Sequence, residues 1–260
     1  MNMNMDAATL WTLLLIFVRI TTFMVTAPLF SGRQIPTQYK IGFSAVLSIL
    51  CVGLVKEPIP SQDESTIILL ILKEFLVGIV LGMVGNILLY AVQMAGSLMD
   101  VLIGFSMASL FDPTFGTNSQ LSGRMQNTLA LLVLLATDGH HLLIQGVLAS
   151  FDWISIQATV PAFTEGQLAS FLLDCVQQMF LIGFMMAAPI IGTLFLVDVA
   201  LGIISRTVPQ MNLFAVFPPM KIMIHFFIYI FILPSFFYLL KILFENMFGS
   251  MYSILKIMGV

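Results

Sequence analysis

The residues that could do chemistry in this chain are few, and most of them stand in apolar surroundings. "DGHH" (138–141) sets a carboxylate and two imidazoles side by side, which are donor types that zinc accepts. Adjacent histidines on a helix project about 100° apart, so they are not expected to converge on one ion. No HExxH, CxxC or facial carboxylate pattern joins them. The reading is therefore a turn and no metal: Asp138 caps, Gly139 breaks, and the histidines sit at an interface. His225, alone in an apolar run, is expected to be satisfied by a neighbour. Arg19, Asp174, Asp198 and Arg206 interrupt or border long apolar runs. An unpaired charge in lipid costs at least ~2.5–3.5 kcal/mol, so each needs a partner. Asp198 and Arg206 lie about two helical turns apart, too far for a bond along one straight helix. Pairing with another helix or chain is favoured over a proton path, because no second carboxylate lines up into a relay. There is no glycine-rich phosphate loop and no nucleophile–base motif. The expectation is a protein that is not an enzyme and takes no cofactor.

What must position these residues follows from composition. Of 260 residues, 59% are hydrophobic and 9% charged, against roughly 25% charged in soluble domains. A soluble chain of this length lacks the interior to hide that much apolar surface. The solvent for most of it is lipid or partner protein. The net charge of −3 says little about partners, and no basic patch points to nucleic acid. Cys51 and Cys175 sit inside apolar runs and read as small packed hydrophobes. The N-terminus has no basic n-region and no small-x-small site before Arg19, so the first hydrophobic segment is expected to persist.

A hydropathy reading gives about six spans, near 8–30, 38–55, 67–99, 125–150, 170–198 and 222–240. The apolar run 67–111 is too long for one simple helix and must bend or leave the membrane. The loop "VKEPIPSQDEST" (55–66) is the clearest linker, with Ser65 or Thr66 able to cap the next helix. Lys and Arg are missing between Arg124 and Arg206, which places 138–170 on the outer side. Phe151, Trp153 and Phe163 fit an interfacial belt there. Elsewhere the bias is weak, with Lys73 counted in a loop. The tail 241–260 reads as a separate helix lying against membrane or partner.

Gly78, Gly82 and Gly85 share one helical face, so a neighbouring helix can approach closely. Pro28, Pro189 and Pro234 fall within apolar runs and are expected to bend helices. Two broken segments carry unusual apolar bulk. The first is "GFSMASLFDPTFGTNSQ" (104–120), with Asp112, Pro113 and Gly116 among Met107, Phe111 and Phe115. The second is "SRTVPQMNLFAVFPPMKI" (205–222). Irregular backbone at membrane depth survives only inside protein or along a water-filled path. Both argue for a subunit of a larger complex.

Four stretches then occur in order: "APLFSGRQIP" (27–36), "AGSLMDVLIGFSMASLFDP" (95–113), "DGHHLLIQGVLASF" (138–151) and "LGIISRTVPQMNLF" (201–214). Over nearly its whole length the chain resembles the FliR family of type III secretion export-gate subunits. One departure is Phe217, with Pro218 and Pro219, where that family usually has a glycine. The resemblance implies an all-α, polytopic membrane protein of helical hairpins and broken helices, built for a multi-subunit helical ring. It implies one membrane domain, with about 1–165 FliP-like and about 166–260 FliQ-like. It implies FliP-like, FliQ-like and FlhB-like partners, the lipid bilayer, and unfolded flagellar proteins as transient substrates. The location would be the bacterial inner membrane, at the flagellar basal body. A virulence type III secretion system is the alternative setting, and a small secondary transporter is a reading from another class.

In that family the loop around "FDP" plugs the closed channel. The resemblance carries this role to Met107, Phe111, Asp112, Pro113, Phe115 and Gly116. Phe and Met would fill a narrow lumen, while Pro113 and Gly116 let the chain leave helical geometry. The alternative is that Phe111 and Phe115 simply pack between helices. Asp112 either caps the turn at Pro113 or pairs across the pore. Arg19, Asp198, Arg206 and Asn212 are the expected buried-charge and interface positions.

Overall fold

The computed structural model describes residues 7–32, 34–53, 64–104, 120–158, 166–207 and 213–259. Their regular structure is helical throughout: α1 (Ala7–Thr26), α2 (Thr37–Val52), α3 (Glu64–Ile103), α4 (Leu121–Ala136), α5 (Gly139–Trp153), α6 (Gln167–Thr207) and α7 (Leu213–Gly259). No strand occurs among the described residues. Four helices are long and apolar enough to cross a membrane. The pair α4 and α5, bent by 73° at its break, raises the number to five if it makes one span. The chain is an all-α polytopic membrane protein.

Several expected boundaries move. The segment 38–55 forms only the shorter helix Thr37–Val52 and is not among the spans. The apolar run from 67 is helical without a break as far as Ile103; α3 is 40 residues long, about 60 Å at ~1.5 Å per residue. It starts at Glu64, ahead of the Ser65 or Thr66 expected as its cap. The tail is not a separate helix. It continues α7, which runs for 47 residues through Pro218, Pro219 and Pro234. A proline removes one backbone bond and bends a helix, but apolar packing on both sides of the residue can hold the axis continuous. Pro189 likewise lies inside α6, whereas Pro28 follows the end of α1 at Thr26.

Two compact units share the chain. The first comprises Met1–Leu88, Leu134–Val176 and Glu245–Val260; the second comprises Leu89–Val133 and Gln177–Phe244. In the first, α1 buries Ile16, Ile20 and Phe23 while α3 buries Val77, Leu81, Val84 and Leu88, each set repeating at helical spacing. The tail adds Met247, Met251, Ile254 and Leu255, all fully or nearly buried. Trp153 meets Tyr252 edge to face at 5.5 Å. The end of α7 is therefore core of its own chain. In the second unit, Ala91, Ala95 and Met99 of α3, Ala130 of α4, and Met186, Ile190 and Leu194 of α6 are buried.

Close contact between α1 and α3 depends on the glycine stripe. A Cβ on Gly78 would lie 1.9 Å from Thr22 Oγ1 and 2.5 Å from the Arg19 carbonyl oxygen. A Cβ on Gly82 would lie 2.0 Å from Thr26 Oγ1 and 2.8 Å from the Ala27 nitrogen, and one on Gly85 would lie 3.0 Å from Pro28 Cδ. Residue numbers rise together along both helices, so α1 and α3 run parallel. The Thr22 and Thr26 hydroxyls donate back to carbonyls of their own helix, which leaves neither of these two hydroxyls unpaired. Asn86 Nδ2 donates to the Thr26 carbonyl at 3.1 Å and ties off the end of α1.

Candidate functional site

Two polar constructions stand out, one in each unit. In the first unit, Arg19 is fully buried and uses its whole guanidinium. Nε and Nη2 donate to the two oxygens of Glu74, the second at 3.0 Å. Nη1 donates to the Ser150 carbonyl at 2.9 Å and to Ser150 Oγ at 3.1 Å, and Nη2 to the Ile154 carbonyl at 3.1 Å. Phe151 lies under the guanidinium, 4.3 Å from its carbon to the ring centroid. Lys73, also buried, donates to Glu74 Oε1 at 2.8 Å and to the carbonyls of Ser155 and Ile156 at 2.8 and 3.0 Å.

Two cations thus share one carboxylate. The remaining negative character comes from the carbonyl end of α5 and the residues after it, where the helix dipole carries about half a negative charge. Every member of this cluster is paired, which is what burial of ions requires. Lys73 therefore belongs to the interior and not to a loop. Phe151 and Trp153 pack on Arg19 and Tyr252 rather than forming only a surface belt; Phe163 lies outside the described residues. Glu74 carries no signal in the sequence, because its partner Arg19 lies 55 residues away on another helix.

In the second unit, α3 and α4 meet backbone to backbone. A Cβ on Gly96 would lie 2.3 Å from Gly123 Cα and 2.4 Å from the Gly123 nitrogen. One turn along the same face of α3, the buried Asp100 receives the first amides of α4. The Ser122 N–H donates to both carboxylate oxygens at 3.1 Å, and the Gly123 N–H to one of them at 3.4 Å. Asp100 is a cap supplied from another helix, placed at the positive end of the α4 dipole. Gln93 Nε2 adds a longer bond to Gln120 Oε1 at 3.4 Å.

The end of α3 is set just as specifically. Gly104 follows Ile103 with φ at +93°, the left-handed conformation in which glycine stops helices. Its N–H donates to the Asp100 carbonyl at 3.2 Å. Lys221 of α7 donates to the Leu102 carbonyl at 3.3 Å and forms an ion pair with Asp198 of α6. The helix thus stops at Gly104, several residues before the Asp112, Pro113 and Gly116 expected to break it. Met107, Phe111, Asp112, Pro113, Phe115 and Gly116 lie outside the described residues, as does Asn212.

The other expected positions sort as follows. Asp198 has its cation on a neighbouring helix, in Lys221. Arg206 is exposed in the last turn of α6, where a cation suits the dipole. Gly78, Gly82 and Gly85 line the α1 seam already described.

Asp138 occupies the N-cap position of α5 with φ at 56°, but its side chain makes no capping bond. It faces His141 Nδ1 at 3.4 Å instead. The two histidine rings lie 4.0 Å apart by centroid, and one ligand atom from each of Asp138, His140 and His141 falls within 4.8 Å of the others. The separation expected from helical spacing fails here, because that spacing fixes where Cβ points and not where a rotatable ring comes to rest. His225 is fully buried against Tyr229, 5.9 Å between centroids. Neither of its ring nitrogens has a partner among the described residues, contrary to expectation.

Comparison with known proteins fits this frame. The family described as bacterial export proteins, family 1, matches residues 10–247. A flagellar biosynthetic protein FliR from Bacillus subtilis (strain 168) is 40% identical over 95% of both chains. One from Pectobacterium carotovorum subsp. carotovorum is 33% identical over 77% of this chain and 76% of its own. The Yop proteins translocation protein T of Yersinia pestis is 28% identical over 64% of this chain and 63% of its own.

Proposed function

Because this chain belongs to the bacterial export proteins of family 1 and is a subunit of the flagellar type III export gate, we propose that it forms part of the gate's channel and supplies its plug. In this reading the segment 105–119 closes the conduit, with Met107, Phe111 and Phe115 filling the lumen and Pro113 and Gly116 shaping the loop. Residues 1–165 act as a FliP-like part and residues 166–260 as a FliQ-like part. Each would stand beside FliP-like and FliQ-like neighbours, with an FlhB-like protein, in the inner membrane at the basal body. Unfolded flagellar proteins pass through, and the chain's own contribution is a path and a seal.

One observation carries the assembly part of this reading. Along α6, large apolar side chains are exposed from Leu173 to Ile204, including Phe180, Phe184, Phe195 and Leu196. That stretch is about 46 Å long at ~1.5 Å per residue, against a hydrocarbon core of about 30 Å. Lipid alone does not cover it, so protein neighbours must. A gate subunit has such neighbours and a lone transporter does not. The ion pair of Asp198 with Lys221 further removes a free carboxylate from any transporter scheme. The likeness to the Yop translocation protein supports a virulence secretion setting as the second reading, over a smaller share of the chain.

The test is deletion of residues 111–116 in cells that assemble the gate. The expected result is leakage of ions and small solutes with the complex still recovered. An assembled gate that stays tight refutes the plug. Recovery of this chain without any partner refutes the assembly.

A further inference from the structure

We infer that Asp100 is a positioning residue that pins the return of the chain into α4, and that Lys221, held by Asp198, pins its departure from α3. This inference rests on the plug reading above for its function, though not for its geometry. Three contacts and one helix-ending glycine gather at this one place. Gly96 lets the α3 and α4 backbones touch at Gly123. Asp100, on the same face of α3, takes the Ser122 and Gly123 amides. Gly104 ends α3 in a conformation that other residues adopt only with strain. Lys221 holds the Leu102 carbonyl, in the last turn of α3, while paired to Asp198.

Each contact answers a physical need. The last carbonyls of a helix and the first amides of the next have no partners within their own helices. Here a cation meets the first set and an anion meets the second, which matches the sign of each helix dipole. Asp100 is 3% exposed, so its bonds to the α4 amides are shielded from water. Without it, the Ser122 and Gly123 amides lose the carboxylate that receives them, and the two helix ends are free to part. A base of this kind fixes where an intervening segment starts and stops whatever that segment does. If the segment is a plug, the base sets its seat.

The experiment measures the base and the seal separately, in the full chain purified with its gate partners. Spin labels on Val101 and Leu121, both exposed, report the separation of the two helix ends. Wild type should give one narrow distance distribution. Asp100→Ala should broaden it, with the open-base population rising about ten-fold or more, since one charge-assisted hydrogen bond suffices for a factor of that size. Asp100→Asn keeps an acceptor oxygen and should fall between the two. If Asp100→Ala is not recovered, Asp100→Asn with Lys221→Met decides the matter by the same measurement. Leakage through the assembled gate should follow the broadening. A narrow distribution in both Asp100 variants, or in Asp100→Asn with Lys221→Met, overturns the inference. Broadening without leakage, in a gate that also stays tight when 111–116 is deleted, overturns the plug and leaves the base standing. Broadening without leakage, in a gate that does leak on that deletion, overturns the claim that the base seats the plug.

Discussion

Glu74 grips Arg19 through both carboxylate oxygens, Oε1 accepting from Nη2 at 3.0 Å and Oε2 from Nε, with neither side chain reached by solvent. The pair joins α1 to α3 where the glycine stripe begins, and it carries the end of α5 with it. Removing one partner strands the other. Glu74→Ala leaves two buried cations and should cost about 3–5 kcal/mol. Thermal unfolding of the purified chain in detergent should show it as a large fall in midpoint. Arg19→Lys keeps the charge but loses the planar fork. It should cost less, about 1.5–3 kcal/mol, and an unchanged midpoint would contradict the two-pronged geometry.

The stripe itself makes a ranked prediction. Gly78→Ala should destabilise most, because its new Cβ meets the Arg19 backbone as well as the Thr22 hydroxyl. Removing the hydroxyl with Thr22→Ala should therefore rescue it only in part. Gly82→Ala should follow, and Gly85→Ala, facing only a proline ring edge, should be mildest. Gly192, with nothing within 4 Å of a new Cβ, is the control. Its change to Ala should be neutral or stabilise by about 0.5–1 kcal/mol. Equal effects at Gly78 and Gly192 would remove the close-approach argument.

Arg206 is exposed at the end of α6, so its role must be sought outside the chain. Arg206→Ala should reduce co-purification with FliP-like and FliQ-like partners by several-fold while leaving the chain's own unfolding midpoint within about 0.5 kcal/mol of wild type. Full complex recovery with lost secretion would assign it to transport instead.

A reporter enzyme fused near residue 160 should read as outside the cytoplasm, as the lack of Lys and Arg between Arg124 and Arg206 requires. A cytoplasmic signal would invert the topology.

Much of the architecture was legible because its signals are local. Apolar run length gave the membrane class, and the four-and-three glycine spacing gave a close-packed face. A turn near "DGHH" was legible, but Asp138, with φ at 56°, makes it, and Gly139, expected as the breaker, is the first residue of α5. What stayed hidden was tertiary. Asp100 is the one charge between Glu74 and Asp112, a visible anomaly, yet nothing nearby in sequence says that it caps a helix beginning at Leu121. Lys73 looks like a loop cation until the carbonyls of Ser155 and Ile156 are brought to it. The continuous α7 was hidden by its prolines, which read as breaks when their flanking contacts are unknown. Met107, Phe111, Asp112, Pro113, Phe115 and Gly116 were proposed for the plug through resemblance alone, and they lie outside the described residues.

The parallel run of α1 and α3 has a consequence for biogenesis. Arg19 leaves the ribosome 55 residues ahead of Glu74 and 135 ahead of Ile154. At about 5–20 residues per second, the last of its partners arrives roughly 7–27 s after it does. For roughly the first 3–11 s, until Glu74 and the glycine stripe of α3 follow, the first apolar helix carries an arginine with no counter-charge and an uncovered threonine seam. It cannot settle into lipid as a finished hairpin with α2, its immediate neighbour in sequence. The insertion machinery, or a partner already in place, must shelter this helix until α5 has emerged.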